Sequence, residues 1–382
     1  MQFMGYRREN GAFGIRNNVA ILAVMDNVNG IVKHLESLVK GTVAVPVWYG
    51  RGQFGADDTL FRGTQAGLGK NPNVHSVLVV SLEQVSAEKV AASIAESGKR
   101  VEHISVQDVG GTVEAIAHGM RHLMSMVGEA SAQRAEPVPL SELALGVECG
   151  GTDTTSGVAA NPAIGHVADR VVEAGGTVYL SETSEWMGAE QMLAKRAPDP
   201  KVQEEIWAAV RRIEDSAISR GVDIRGANPV PDNIRGGITT IEEKSLGAII
   251  KGGTTEVKGV LGFGEAAPGK GLYLMDTAAP AAESMTGLAA GGAQLILFST
   301  GQMNVMGNLL SPTVKVTGNP RTAKKLADNV DVDVSPMLEN ETLEAAGGRL
   351  LDFSIEVAGG RMTRSEMLGD VDIAISRIEP TV

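Results

Sequence analysis

The chain has 382 residues, 43% hydrophobic and 21% charged, with a net charge of −12 and one cysteine. That length suffices for two domains with complete cores. The acidity argues against a nucleic-acid or anionic membrane surface, and a lone cysteine excludes an intramolecular disulfide and an all-cysteine metal site.

Strand and helix signals alternate through the first part. Residues 19–24 read as a strand, 28–38 as a helix, 42–47 as a strand, 59–68 as a helix, 74–80 as a buried strand, 87–95 as a helix, 101–106 as a strand and 112–126 as a helix. Regular alternation implies a parallel sheet covered by helices on both faces. The stretch GEASAQRAEPVPLS at 128–141 is small, polar and proline-bearing, and reads as a linker. It divides the chain into an N-terminal α/β domain (1–130), a linker (131–141) and a C-terminal α/β domain (142–382).

The second part repeats the style. Strands are expected at 143–147, 177–180, 272–275, 295–299 and 313–316. Helices are expected at 162–174, 188–196, 202–219, 239–250, 285–290, 320–329 and 361–368, with a Pro/Gly loop, ANPVPDNIRGG, at 227–237. The expected fold is α/β, with two Rossmann-like or flavodoxin-like parallel-sheet domains packed together. No apolar run approaches the roughly 18 residues of a membrane span. The start, MQFMGYRREN, lacks a signal-peptide core, so a soluble, cytoplasmic protein is expected.

Open parallel sheets bind ligands beyond the carboxyl ends of their strands, so function should collect in the loops that follow them. The most informative is VECGGTDTTSGVAANP at 147–162. An apolar strand feeds an acid, the only cysteine, two glycines and a run of hydroxyls, just before a helix begins. Free N–H groups and hydroxyls in such a loop suit a small anion, which marks Gly151, Thr152, Asp153, Thr154 and Thr155. Cys149 reads as a thiolate metal ligand or as a small buried residue. Glu182 and Glu185 follow the strand at 177–180; they can hold a divalent metal, supply a general base, or cap a short helix.

On a helical wheel Thr240, Lys244 and Lys251 share one side, and Leu246, Ile249 and Ile250 the other. This is either a solvated basic stripe or a lysine held over a carboxylate. Glu242 falls on the apolar side, where partial burial is expected. The helix runs into GGTT, whose Thr254 lies in a second anion-friendly loop. Arg16 and Asn17, near the start, can clamp a carboxylate or merely open a strand. Neither G-x-x-x-x-G-K-[ST] nor a G-x-G-x-x-G after the first strand is present, which leaves nucleotide binding unsupported.

Taken in order, GYRRENGAFGIRN, ECGGTDTTSGVAANPAIG, GGTVYLSETSEWMGAEQML, GGITTIEEKSLGAIIKGGTT, KGLYLMDT and FSTGQMNVMG resemble the altronate/galactarate dehydratase family between residues 5 and 337. The resemblance implies a lyase that expels a β-leaving group from a small anionic 2-hydroxy acid and leaves a 2-oxo acid. It also implies a divalent metal, Fe2+, in members that dehydrate sugar acids. Many members carry a small extra N-terminal domain called SAF; here the match starts almost at Met1. A separate small SAF-type subunit is therefore expected as partner, in a homo- or hetero-oligomer.

The sequence also departs from the sugar-acid members. They carry cysteines in patterns such as NCS, GCG and GCE after the first-half strands, where this chain reads MDNVNG, YGRGQFG and SLEQ. Ligation by several cysteines is not expected. The loop YGRGQFGAD looks more like a two-subunit branch that splits (2R)-3-sulfolactate into pyruvate and sulfite. That reading is preferred here to a sugar-acid hydro-lyase, and a non-catalytic hydroxy-acid-binding subunit is the rival of another class. The expected roles are Lys244 and Glu185 as candidate bases and Cys149 and Glu182 as metal ligands. The substrate contacts are expected from Arg16, Asn17, Arg51, Lys251, Thr254 and the 151–155 loop.

Overall fold

Four apolar runs of the N-terminal half form one parallel sheet, in the spatial order Thr42–Val45, Asn18–Ala23, Val74–Ser81, Val101–Ser105. This is the first structural feature of a computed structural model that describes residues 1–378. Helices cover both faces, so the central strands are apolar along nearly their whole length instead of alternating. Ile21 packs with Leu35 and Leu123 on one face, and its neighbour Leu22 packs with Leu68 and Ile94 on the other. In chain order the strands run second, first, third, fourth. The chain therefore winds in opposite directions from the first strand, and a switch point lies between the ends of Asn18–Ala23 and Val74–Ser81.

The C-terminal half builds a seven-stranded parallel sheet in the order Val257–Leu261, Gly271–Met275, Thr177–Leu180, Ala144–Cys149, Leu295–Ser299, Thr313–Thr317, Val332–Asp333. The α/β reading with parallel sheets therefore holds for both halves.

Three features differ from the sequence expectation. Residues 128–141 are not a loose linker. The helix Thr112–Ala132 runs into them, and Glu136–Pro139 then pairs antiparallel with Gln2–Arg7. Val138 and Leu140 are buried. The prolines hide this strand from a propensity reading, yet they fit an edge position. The helix Leu343–Ala358 has no counterpart among the expected elements. Its Gly347-Gly348 pair breaks the apolar pattern, but a Cβ at Gly347 would lie 2.6 Å from the His166 ring, so the glycine allows close helix packing. The strand Val257–Leu261 was likewise not expected.

The halves meet through buried amides. Asn71 Nδ2 donates to the carbonyls of Ala289 (2.7 Å) and Ala293 (3.0 Å), and Asn73 Nδ2 to those of Gln294 (2.8 Å) and Leu310 (2.9 Å). Gly67 lies against Ala290, where a Cβ would come within 2.5 Å of the carbonyl oxygen. Ile373 and Ile375 return to the first half and are buried in its two cores. The Ile378 amide donates to Asp57 Oδ1 at 2.8 Å. Among the described residues no helix is long and apolar enough to cross a membrane.

Candidate active site

The strands Ala144–Cys149 and Thr177–Leu180 are parallel neighbours, so the residues that leave their carboxyl ends converge. Glu148 is fully buried. The hydroxyls of Ser181 (2.7 Å) and Ser284 (2.5 Å) both donate to its Oε2, and its Oε1 has no partner among the described residues. Burial, and then the nearby Glu182 charge, holds the Glu148 carboxyl well above the usual carboxylate range.

Glu182 sits at φ 67°, in the left-handed region. Such a backbone costs a non-glycine residue on the order of 1 kcal/mol or more. Tertiary contacts hold it there. Its amide donates to Thr277 Oγ1 at 2.8 Å, and its Oε2 accepts the Cys149 amide (2.9 Å) and Lys251 Nζ (2.7 Å). The Cys149 thiol faces its other oxygen at 3.4 Å. Burial alone would push Lys251 down, but the Glu182 carboxylate against it raises it above its ordinary value, so it stays an ammonium.

One short 3-10 turn later, Glu185 pairs with Lys244 at 3.0 Å. Lys244 Nζ also donates to Asn228 Oδ1 at 2.9 Å, while Glu185 Oε2 has no partner among the described residues. Burial raises the Glu185 carboxyl, an effect that Lys244 opposes. Lys244 lies on the wall of a 240 Å³ cavity, together with Thr152, Thr154, Asn161 and Ile238. Glu185 stands behind it, and the Lys251–Glu182–Cys149 group is sealed beneath.

The helical-wheel reading holds for Thr240, which is exposed, and Ile249, which is buried, and fails elsewhere: Lys244 and Lys251 are buried, whereas Leu246, Ile250 and Glu242 are exposed. The wheel cannot foresee this, because the carboxylates that draw the lysines inward come from the turn after the strand Thr177–Leu180, far earlier in the chain.

The remaining candidates divide. Gly151 takes the φ of +67° that its turn needs, and Thr152 Oγ1 lies 3.5 Å from the Cys149 sulfur. Asp153 is committed to the loop itself: its carboxylate accepts from the Thr155 hydroxyl (2.6 Å), the Ser156 amide (3.1 Å) and Asn319 Nδ2 (2.8 Å). It is a loop organiser, and Thr155 serves it. Arg16 and Asn17 are not brought to the cavity. The Arg16 guanidinium is taken up by both oxygens of Glu366 and by the carbonyls of Ile15, Val357 and Arg361. Asn17 bridges Arg8 and the Ala130 carbonyl. Thr254 is consumed by Asp169, which accepts from its amide (2.6 Å) and hydroxyl (2.9 Å).

Arg51 lines a different cavity, in the first half. The loops after all four first-half strands reach it, through Met25, Arg51, Glu83 and Gln107.

Sequence reading gave no site role to Glu148, Ser284 or Asn228. Only the position of Glu148 at a strand end signalled it; Asn228 lies in a loop whose composition suggested nothing but a turn.

The donors around Cys149 and Glu182 do not fit Fe2+. Cys149 offers a single sulfur, already set against Glu182 Oε1 at 3.4 Å. The Lys251 ammonium already stands against the carboxylate. Among the described residues, no group of three or more His, Cys, Asp or Glu is placed to hold a metal.

Comparison with known proteins adds to this geometry. The model for the C-terminal part of D-galactarate/altronate dehydratase matches residues 140–381, and that for the second domain of D-galactarate dehydratase/altronate hydrolase matches residues 5–131. The chain is 41% identical to the (2R)-sulfolactate sulfo-lyase subunit beta of Chromohalobacter salexigens, over 98% of this chain and 97% of that one. It is 33% identical to the altronate dehydratase of Escherichia coli (97% of this chain, 76% of the relative). It is 30% identical to the galactarate dehydratase (L-threo-forming) of the same organism (94% and 73%).

Proposed function

Since the chain belongs to the D-galactarate/altronate dehydratase family, whose compared members are lyases, we propose that it is the large catalytic subunit of a lyase acting on a small anionic 2-hydroxy acid. The preferred substrate is (2R)-3-sulfolactate, with pyruvate and sulfite as products. Similarity along almost the full length of both chains to a sulfo-lyase subunit beta supports this choice. That relative's name also supports a partner subunit for this chain; in this reading the assembly is an oligomer of the cytoplasm.

The observation that carries the chemistry is the buried Lys244–Glu185 pair at the cavity wall. Glu185, with its carboxyl raised by burial, takes the ammonium proton of Lys244 across 3.0 Å. The amine so formed faces the cavity and removes the C2 proton of the substrate. The C–H electron pair becomes the C2–C3 double bond as the C3–S bond breaks, and sulfite leaves with the S–C electrons. Lys244, again an ammonium, stands beside the developing negative charge, and the enol tautomerises to the 2-oxo acid. The Thr152 and Thr154 side chains at the cavity supply hydroxyls for the substrate's anionic groups. The sealed Lys251 pairs with Glu182 and orders it beneath the loop.

The test is an assay of the full chain with its small partner subunit on (2R)-3-sulfolactate, altronate and galactarate, reading sulfite and 2-oxo acid separately. Sulfite with pyruvate supports the proposal. A 2-oxo acid without sulfite moves the chain to the sugar-acid hydro-lyases, and binding without turnover on all three would make it a binding subunit.

A further inference from the structure

At the switch point of the first sheet, a cavity of 370 Å³ opens between the loops that follow its four strands. Every residue on its wall belongs to the N-terminal half. It is therefore separate from the cavity beside Lys244.

Its donors are prepared and unspent. Gln53 is more than nine-tenths buried. Its Oε1 accepts the Gly50 amide at 3.1 Å, which fixes the orientation of the side chain. Its Nε2 therefore points the other way, and it has no acceptor among the described residues. A buried amide left without a partner costs roughly 1–3 kcal/mol; almost none of this atom is open, so a ligand oxygen recovers that cost once the side chain turns toward the cavity. Arg51 lies on the same wall, exposed, with no hydrogen-bond or ion-pair partner among the described residues.

The cavity's second arginine is structural. Arg62 donates to the carbonyls of Val24 (3.3 Å) and Gly50 (3.2 Å), which joins two of the loops. Gly50 itself, at φ +117°, presses so close to Met25 that a Cβ there would lie 2.8 Å from Met25 Cα. That close approach fixes Gly50 against Met25, in the loop that carries Arg51 and Gln53.

The two carboxylates on the wall are both engaged. Asp58 pairs with Arg62 at 3.4 Å. Glu83 caps the helix Gln84–Ala95 by accepting the amides of Val85 (2.7 Å) and Ser86 (3.0 Å). What remains free is one guanidinium and one buried amide donor pair, with the Ser86 and Gln107 side chains nearby. That set suits neither a metal nor an apolar ligand; it suits a small oxygen-rich anion.

We propose that this cavity is a second ligand site, which binds a sulfur or phosphorus oxoanion through Arg51 and the Gln53 amide. The oxoanion can be free or carried on an organic sulfonate. The geometry stands without the activity assigned above; only the choice of sulfur anions as first probes rests on that reading.

The experiment is isothermal titration of the full chain with sodium sulfite, methanesulfonate and inorganic phosphate, in the absence of substrate. Saturable binding of at least one of them is expected, at one equivalent per chain. Preference for sulfite identifies a free anion, preference for methanesulfonate a carried sulfonate, and preference for phosphate an anion unrelated to the lyase reaction. Arg51→Ala should weaken the binding at least about tenfold, or about 1.4 kcal/mol. Gln53→Glu keeps the acceptor for the Gly50 amide but replaces the donor with a charge, and should abolish binding with circular dichroism unchanged. Lys325→Ala, which removes an exposed charge of the second half, should bind the anion as the unaltered chain does. No saturable binding by any probe, or binding untouched by both cavity substitutions, overturns the proposal, whatever the turnover assay shows.

Discussion

Lys251 Nζ lies 2.7 Å from Glu182 Oε2, and both side chains are almost sealed from solvent. A pair this deep gains little over two apolar residues, but losing one member strands the other as an uncompensated charge. Lys251→Met should therefore lower unfolding stability by about 3–5 kcal/mol. Adding Glu182→Gln to it should restore a large part of the loss, since no charge then stays buried alone. Urea unfolding of the single and double variants checks this; equal stabilities for the two would show that the charge is not the cause.

Lys244 and Glu185 should separate from that pair in their effect. Lys244→Ala should reduce kcat by about 10²-fold or more while the protein remains folded, because general-base chemistry accounts for a factor of this order. Glu185→Gln keeps the shape and the contact to Lys244 but cannot accept its proton, and should lower kcat with KM little changed. Steady-state kinetics beside circular dichroism decides the matter, and normal turnover in either variant removes that residue from the mechanism.

Glu148 makes stability depend on pH. Its folded-state value lies above the unfolded value of 4.5. The folded state therefore binds the proton more tightly than the unfolded chain does. The associated stability is complete below 4.5 and is lost as pH rises through the folded value. Glu148→Gln should flatten the decline of stability with rising pH by as much as about 1.4 kcal/mol per unit within that window. Denaturant midpoints at a series of pH values measure the slope.

Arg16 offers the opposite outcome to the one its sequence suggests. All its contacts tie the chain start to the helices near Val357 and Glu366. Arg16→Ala should cost about 2–3 kcal/mol of stability and leave KM unchanged at temperatures where the variant is folded. A raised KM would restore it to substrate binding.

Much of the fold was legible because parallel strands sheathed by helices are continuous apolar runs, as at Val74–Ser81 and Leu295–Ser299. What escaped was either written in small residues, as in Leu343–Ala358, or masked by prolines, as in Glu136–Pro139. The site was half legible. Strand ends pointed to Cys149, Glu182 and Glu185. Partnership was not legible, because Arg16 and Thr254, and Asp153 through Asn319, are spent on groups far away in the chain, and local pattern carries no record of such pairings. Lys244 and Lys251 were singled out, but their inward orientation comes from the carboxylates across the sheet.

The return of Ile373 and Ile375 into the first half has a consequence for synthesis. The N-terminal sheet and its helices leave the ribosome well before these two isoleucines, so both faces of that sheet wait with part of their cores unfilled. The cores of the first half are therefore completed only after most of the second half has been made, and a truncation shortly before Ile373 would injure the domain made first.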